Sequence, residues 1–131
     1  MAKDAVSFVK IQSSQSYSQT VGALKQAVSS NRLMVMGHIN QANVLSMTGL
    51  KLAGAESFLV GNPQMGKKAF SMNPAVGTVI PARIYIWSNQ GKVWIGYFKP
   101  SSLMTAISPK FAKMGGMFDM KLHAIATQAA R

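Results

Sequence analysis

Two apolar runs, Ile84-Tyr85-Ile86-Trp87 and Val93-Trp94-Ile95-Gly96-Tyr97-Phe98, flank the segment Ser88-Asn89-Gln90-Gly91-Lys92. Short alternating runs rich in β-branched and aromatic residues favour extended backbone. Gly91 can supply the positive φ that a reversing chain needs. The pair reads as a β-hairpin with a loop of several residues. A chain with this hairpin at its centre must build a sheet and bury at least one of its faces.

The remaining pattern adds strands and helices around it. Val6-Ser7-Phe8-Val9-Lys10-Ile11 reads as a first strand, and Ser18 precedes a helix whose face is Val21, Leu24, Ala27 and Val28, with Asn31 as its stop. Leu33 to Asn40 alternates as a strand, sending Leu33, Val35 and Ile39 to one side and Met34, Met36, His38 and Asn40 to the other. Residues 41 to 52 read as a short helix or loop ending near Gly49, and Ser57-Phe58-Leu59-Val60 as a strand running into a Gly61-Asn62-Pro63 turn. A short helix is expected over Lys67 to Met72. Another follows Pro100, with Gly115-Gly116 interrupting the chain and Asp119 capping a final helix that carries Leu122, Ile125, Ala126 and Ala129. The expected architecture is α+β: one domain over residues 1–131, with a single mixed or antiparallel sheet and helices packed on one face.

Charge narrows the function classes. The 131 residues include 14 Lys and Arg but only 3 Asp and Glu, a formal net charge of +11, while charged residues are only 13% of the chain and hydrophobic ones 48%. The imbalance comes from missing acids rather than from crowded bases. The bases are spread along the chain, with small clusters only at Lys67-Lys68 and Lys110/Lys113. Such a surface attracts nucleic acid or an anionic membrane surface without sequence preference. No helix-turn-helix or RNA-binding motif accompanies it. Few acids also means few carboxylates whose protonation could unfold the protein. That points to an acidic exported compartment, the periplasm of an acidophile, ahead of the cytoplasm. No apolar run approaches the roughly 18 residues of a membrane span, and the first residues lack the apolar core of a secretory signal.

Several segments, in order, carry a family resemblance: Tyr17-Ser18-Gln19-Thr20-Val21 with Leu24, Gly49-Leu50-Lys51-Leu52, Phe58-Leu59-Val60-Gly61-Asn62-Pro63, Pro74 with Gly77 and Pro81, and Gly91-Lys92-Val93-Trp94-Ile95-Gly96-Tyr97. Together they resemble the bacterial and archaeal family catalogued as domain of unknown function 302, over roughly residues 6 to 130. The resemblance implies a compact α+β domain that forms a homodimer, and no general reaction. Relatives carry an Asp-His pair after the second strand where this chain has Asn40-Gln41, and Gly-Thr where it has Gly66-Lys67. Any chemistry resting on that carboxylate–imidazole pair is absent here.

The catalytic inventory is narrow. Asp4, Glu56 and Asp119 are the only side-chain acids, His38 and His123 the only imidazoles, and there is no cysteine. Thiolate chemistry, zinc fingers, disulfides and iron–sulfur clusters are excluded. A paired-carboxylate mechanism needs distant residues to converge, no nucleophile-elbow pattern accompanies the serines, and the glycines near Lys67-Lys68 match neither phosphate-binding fingerprint. The chain therefore reads as a small ligand-binding module rather than an enzyme.

Ten methionines are the second unusual count. Methionine is usually adaptable packing, but thioethers also line soft pockets and ligate copper or haem iron. His38 is expected on a face with Met34 and Met36, and Met120 and His123 share a helical face. The sharpest expectation is noncovalent haem or copper binding in an electron-transfer role with a redox partner protein. His38 and His123 would be the ligands, Met36 and Met120 axial partners, and Trp87, Trp94 and Phe98 the apolar walls. The competing expectation is a basic module without cofactor that binds an anionic partner.

Overall fold

The computed structural model describes residues 6–131. Asp4, with the rest of the chain's start, lies outside the described residues. Five strands, β1 (Phe8–Ser13), β2 (Met34–Asn40), β3 (Ala55–Gly61), β4 (Ala82–Asn89) and β5 (Lys92–Phe98), form one sheet in the order β1-β5-β4-β3-β2. Every pairing is antiparallel. Strands β2 to β5 form a meander, and β1 adds to its far edge.

The central hairpin is tighter than its sequence suggests. Asn89 pairs with Lys92, so only Gln90 and Gly91 turn the chain, both at positive φ (54° and 78°). Two successive positive φ values make a type I′ turn, whose twist matches that of the flanking strands.

Helices α1 (Tyr17–Ser30), α3 (Pro63–Met72), α4 (Pro100–Ile107) and α5 (Ala112–Ala130) account for the layer on the core side of the sheet. Leu24 and Val28 of α1 and Leu122 and Ile125 of α5 are fully or almost fully buried with Phe58, Val60, Ile84, Ile86 and Ile95 of the strands. The short α2 (Gln41–Ser46) is the exception, because it returns across the opposite face, where Gln41 donates to the Ser57 hydroxyl.

Several local expectations change for identifiable reasons. Helix α1 is capped by Ser16 rather than Ser18. Ser16 and Gln19 form a capping box in which each side chain satisfies the other's backbone N–H. The Gly-Asn-Pro segment is a helix start rather than a free turn, since Asn62 accepts from Gln64 N and Met65 N and Pro63 occupies the first helical position. Gly115-Gly116 does not interrupt the chain but lies inside α5, and Asp119 lies in the middle of that helix. The C-terminal end of α5 is held by the β1–α1 turn, where Ser14 N donates to the Ala130 carbonyl at 2.8 Å.

The alternation of β2 is broken. A register shift between Val35 and Gly37 puts Met36 in a bulge, so Val35 opposite Val60 and His38 opposite Phe58 fall on the same face. His38 therefore does not lie beside Met34 and Met36. Its ring stacks on Phe58, 4.8 Å between centroids and 14° between planes.

Candidate functional site

Two places gather chemistry-bearing side chains. The first is on the core side at the β2 edge. The Glu56 carboxylate accepts from Tyr17 Oη at 2.8 Å and lies 2.6 Å from His38 Nε2. Burial, then the hydrogen bond to Glu56 and its charge, pushes the Tyr17 phenol far above its ordinary value. Glu56 and His38 thus form a carboxylate–imidazole contact. Nothing in the sequence flagged it, because His38 and Glu56 meet only through the β2–β3 register.

That contact also bears on the expected ligand set. His38 sits on the edge strand, whereas His123 is exposed on α5, which packs on α1, α4 and the β1–β5 side. Met120 is exposed beside His123, and Met36 lines a cavity near α3. One chain thus brings neither the two histidines nor their methionines into a common site. Among the described residues, no three His, Asp or Glu side chains cluster as a metal-binding group. Methionine itself is mostly a surface residue here: Met104 is fully buried, whereas Met34, Met36, Met47, Met72, Met117 and Met120 are exposed.

The second place is the face of the sheet that the main helix layer leaves open. Strand alternation sends Phe8, Lys10, Trp94, Phe98, Arg83, Tyr85 and Trp87 to this side. All three residues expected as apolar walls, Trp87, Trp94 and Phe98, are therefore on one face. The aromatics form a ladder: Tyr85 stacks on Trp87 at 5.3 Å, Trp87 on Trp94 at 6.4 Å, and Lys10 Nζ stands 4.5 Å from the Trp94 ring. Phe8 and Phe98 pair at 5.2 Å across the β1–β5 edge.

Between the ladder and the phenylalanine pair lies a recess of about 300 Å³. Gly96 is its floor, and Phe8, Phe98 and Tyr85 its aromatic walls. The Trp87 and Phe8 rings lean over Gly96, since a Cβ there would sit 2.9 Å from one and 3.1 Å from the other. Arg83, Gln41 and Ser57 supply the polar groups. Gln41 donates to Ser57, which is fully buried, but the buried Oε1 of Gln41 has no partner. A buried acceptor left unpaired costs roughly 1–3 kcal/mol and marks a place where a donor is wanted. Arg83 makes no ion pair among the described residues. Burial pushes the Tyr85 phenol above its ordinary value and so keeps it a donor. Lys10, Arg83 and Lys92 give the face three cations, while Glu56 and Asp119 lie on other surfaces.

An α+β sandwich of one antiparallel sheet with an open, aromatic and cationic face is the class of protein these features define. The chain belongs to the family described as Domain of unknown function DUF302, whose model matches residues 9–129. Its fold is similar to that in a crystal structure of an uncharacterized conserved DUF302 protein from Bacillus stearothermophilus. The TM-score is 0.88 at 20% sequence identity, covering 97% of this chain and 100% of that one. At that identity the likeness concerns the fold alone. No curated protein matches the chain.

Asn40 caps α2 by accepting from Asn43 N, and Gln41 projects into the recess.

Proposed function

We propose that this chain is a small non-enzymatic ligand-binding module whose site is the open-face recess, and that its ligand is an aromatic anion, a ring carrying a carboxylate or phosphate. The observation that carries the reading is a guanidinium without a counter-charge in an aromatic recess. Arg83 makes no ion pair among the described residues, and no acid lines the recess. Guanidinium groups bind carboxylate and phosphate oxygens through paired N–H donors, and the walls of Phe8, Phe98 and Tyr85 suit a ring.

The ladder supports a small ligand over a nucleic-acid strand. Single strands are held by stacking successive bases on open ring faces. Here Trp94 lies between Lys10 and Trp87, and Trp87 between Trp94 and Tyr85.

Both tryptophans of the chain are on this face, so intrinsic fluorescence reports on it directly. Titration with phenyl phosphate and benzoate should give a saturable change, with benzyl alcohol much weaker. Arg83→Ala should weaken the anions about tenfold or more, the scale of a lost charge-assisted hydrogen bond. Equal affinity for benzyl alcohol, or for the anions after Arg83→Ala, would overturn the assignment.

A further inference from the structure

Helix α3 is the least embedded of the longer helices. It buries only Ala69, and it exposes Phe70 and Met72. A cavity lies on each of its flanks. One, of about 300 Å³, is enclosed mainly by Met36, Ile80, Pro81, Phe70 and Phe118, with Lys67 at its edge. The other, of about 460 Å³, runs between α3 and the start of α5 and is lined by Met72, Met114 and Met117 with Lys68, Lys110 and Lys113. Met65 lines both.

Two things about this region are not explained by the open face. The sequence has only two small clusters of bases, Lys67-Lys68 and Lys110/Lys113, and folding brings them to the same place. No acid lines either cavity. Lysine ammonium groups also carry long apolar stems that lie along hydrophobic surface. The walls between them are methionine, whose unbranched, polarizable side chain adapts to an irregular ligand. One such side chain, Met65, borders both cavities.

We infer that the space flanking α3 binds a free single-chain anionic amphiphile. Its head group is held by Lys68, Lys110 and Lys113, and its tail runs past Met65 toward Phe70 and Phe118. The charge selects an anion and the apolar walls select a flexible tail. The two cavities, each near the small end of the range for ligand sites, match a long narrow molecule better than a compact one.

Calorimetric titration of the full chain with dodecanoate below its micellar concentration tests the assignment, with dodecyltrimethylammonium as a probe of similar tail and opposite charge. Dodecanoate should bind saturably and the cationic probe at least about tenfold more weakly. The double variant Lys110→Glu/Lys113→Glu changes two exposed residues and should lower dodecanoate affinity about tenfold with an unchanged circular dichroism spectrum. Met65→Gln, which keeps length and flexibility, should weaken the tail contact, and phenyl phosphate should not compete. Several results would overturn the inference: no saturable heat, equal binding of the cationic probe, undiminished affinity in the lysine double variant, or adsorption to anionic vesicles without dodecanoate binding. Competition by phenyl phosphate would relocate the amphiphile to the open face, and would equally overturn it.

Discussion

The Asp119 carboxylate accepts from both the backbone N–H and the hydroxyl of Ser101, so a residue of α5 serves as the N-terminal cap of α4. Lys99, at the capping position of α4 itself, makes no such bond. One turn before Asp119, Gly115 meets the same residue, since a Cβ at Gly115 would stand 2.6 Å from Ser101 Cα. Bare backbone at one position allows the approach, and a carboxylate four residues on fastens it.

Asp119→Ala should therefore lower stability by about 0.5–2 kcal/mol, the usual worth of a helix cap. Gly115→Ala should cost about 1–3 kcal/mol through overpacking against backbone that has no soft side chain to yield. Because both act on Ser101, the double variant should lose less than the sum. Urea unfolding of the four proteins measures this; strict additivity would contradict a shared contact.

Substitution at Gly96 should separate the recess from the fold. Gly96→Ala forces the Trp87 and Phe8 rings off its Cβ. The expected outcome is a changed tryptophan emission spectrum and a loss of phenyl phosphate binding of about tenfold or more. The far-UV circular dichroism should stay native, and dodecanoate binding should be unaffected.

The chain's three tyrosines, Tyr17, Tyr85 and Tyr97, all have phenols pushed above their ordinary value, in each case chiefly by burial. Glu56 adds to the effect at Tyr17 and Asp119 at Tyr97. A group whose folded value is raised contributes stability that is complete below the unfolded value and is lost as pH climbs toward the folded one. Stability should thus begin to fall above about pH 10, the reference for an unfolded tyrosine. Native protein at that pH should show little tyrosinate absorbance near 295 nm, and Tyr17→Phe should flatten the alkaline loss. Full ionisation at pH 10 without unfolding would refute it.

Acid should do less than it does to most domains. Only three side-chain acids exist, and Glu56 and Asp119 each hold defined hydrogen bonds rather than a network of ion pairs. The folded state should persist to about pH 3 in physiological salt, followed by circular dichroism. An unfolding midpoint at about pH 4 to 5 would show that these few carboxylates dominate stability after all.

The sheet was legible in the sequence because alternation and turn chemistry are local signals. The hairpin of β4 and β5, the face of α1 with its Asn31 stop, and the antiparallel α+β class all rest on them. The errors fall where a local sign is settled by a distant neighbour. Asp119 and Gly115 read as a cap and a break until α4 arrives against them. His38 reads as facing methionines until the bulge at Met36 reverses the strand's phase. Of the residues expected as walls of a cofactor site, Phe98 lines the recess, whereas Trp87 and Trp94 stand on the same face beside it. Arg83 and Gln41 could not be singled out, since an isolated arginine and an isolated glutamine carry no spacing that marks them.

The pairing of β1 with β5 sets an order of events. The register runs from Phe8 opposite Phe98 to Ser13 opposite Val93, so β1, made before the other strands of its sheet, finds its partner only after β5 has been made. At roughly 5–20 residues per second of synthesis, β1 waits several seconds with Val9 and Ile11 uncovered. Strands β2 to β5 can meanwhile close as a local meander. The first strand then completes an assembled sheet, and its late docking also brings Ser14 to the end of α5. A nascent chain released before residue 98 would leave β1 without its full partner strand.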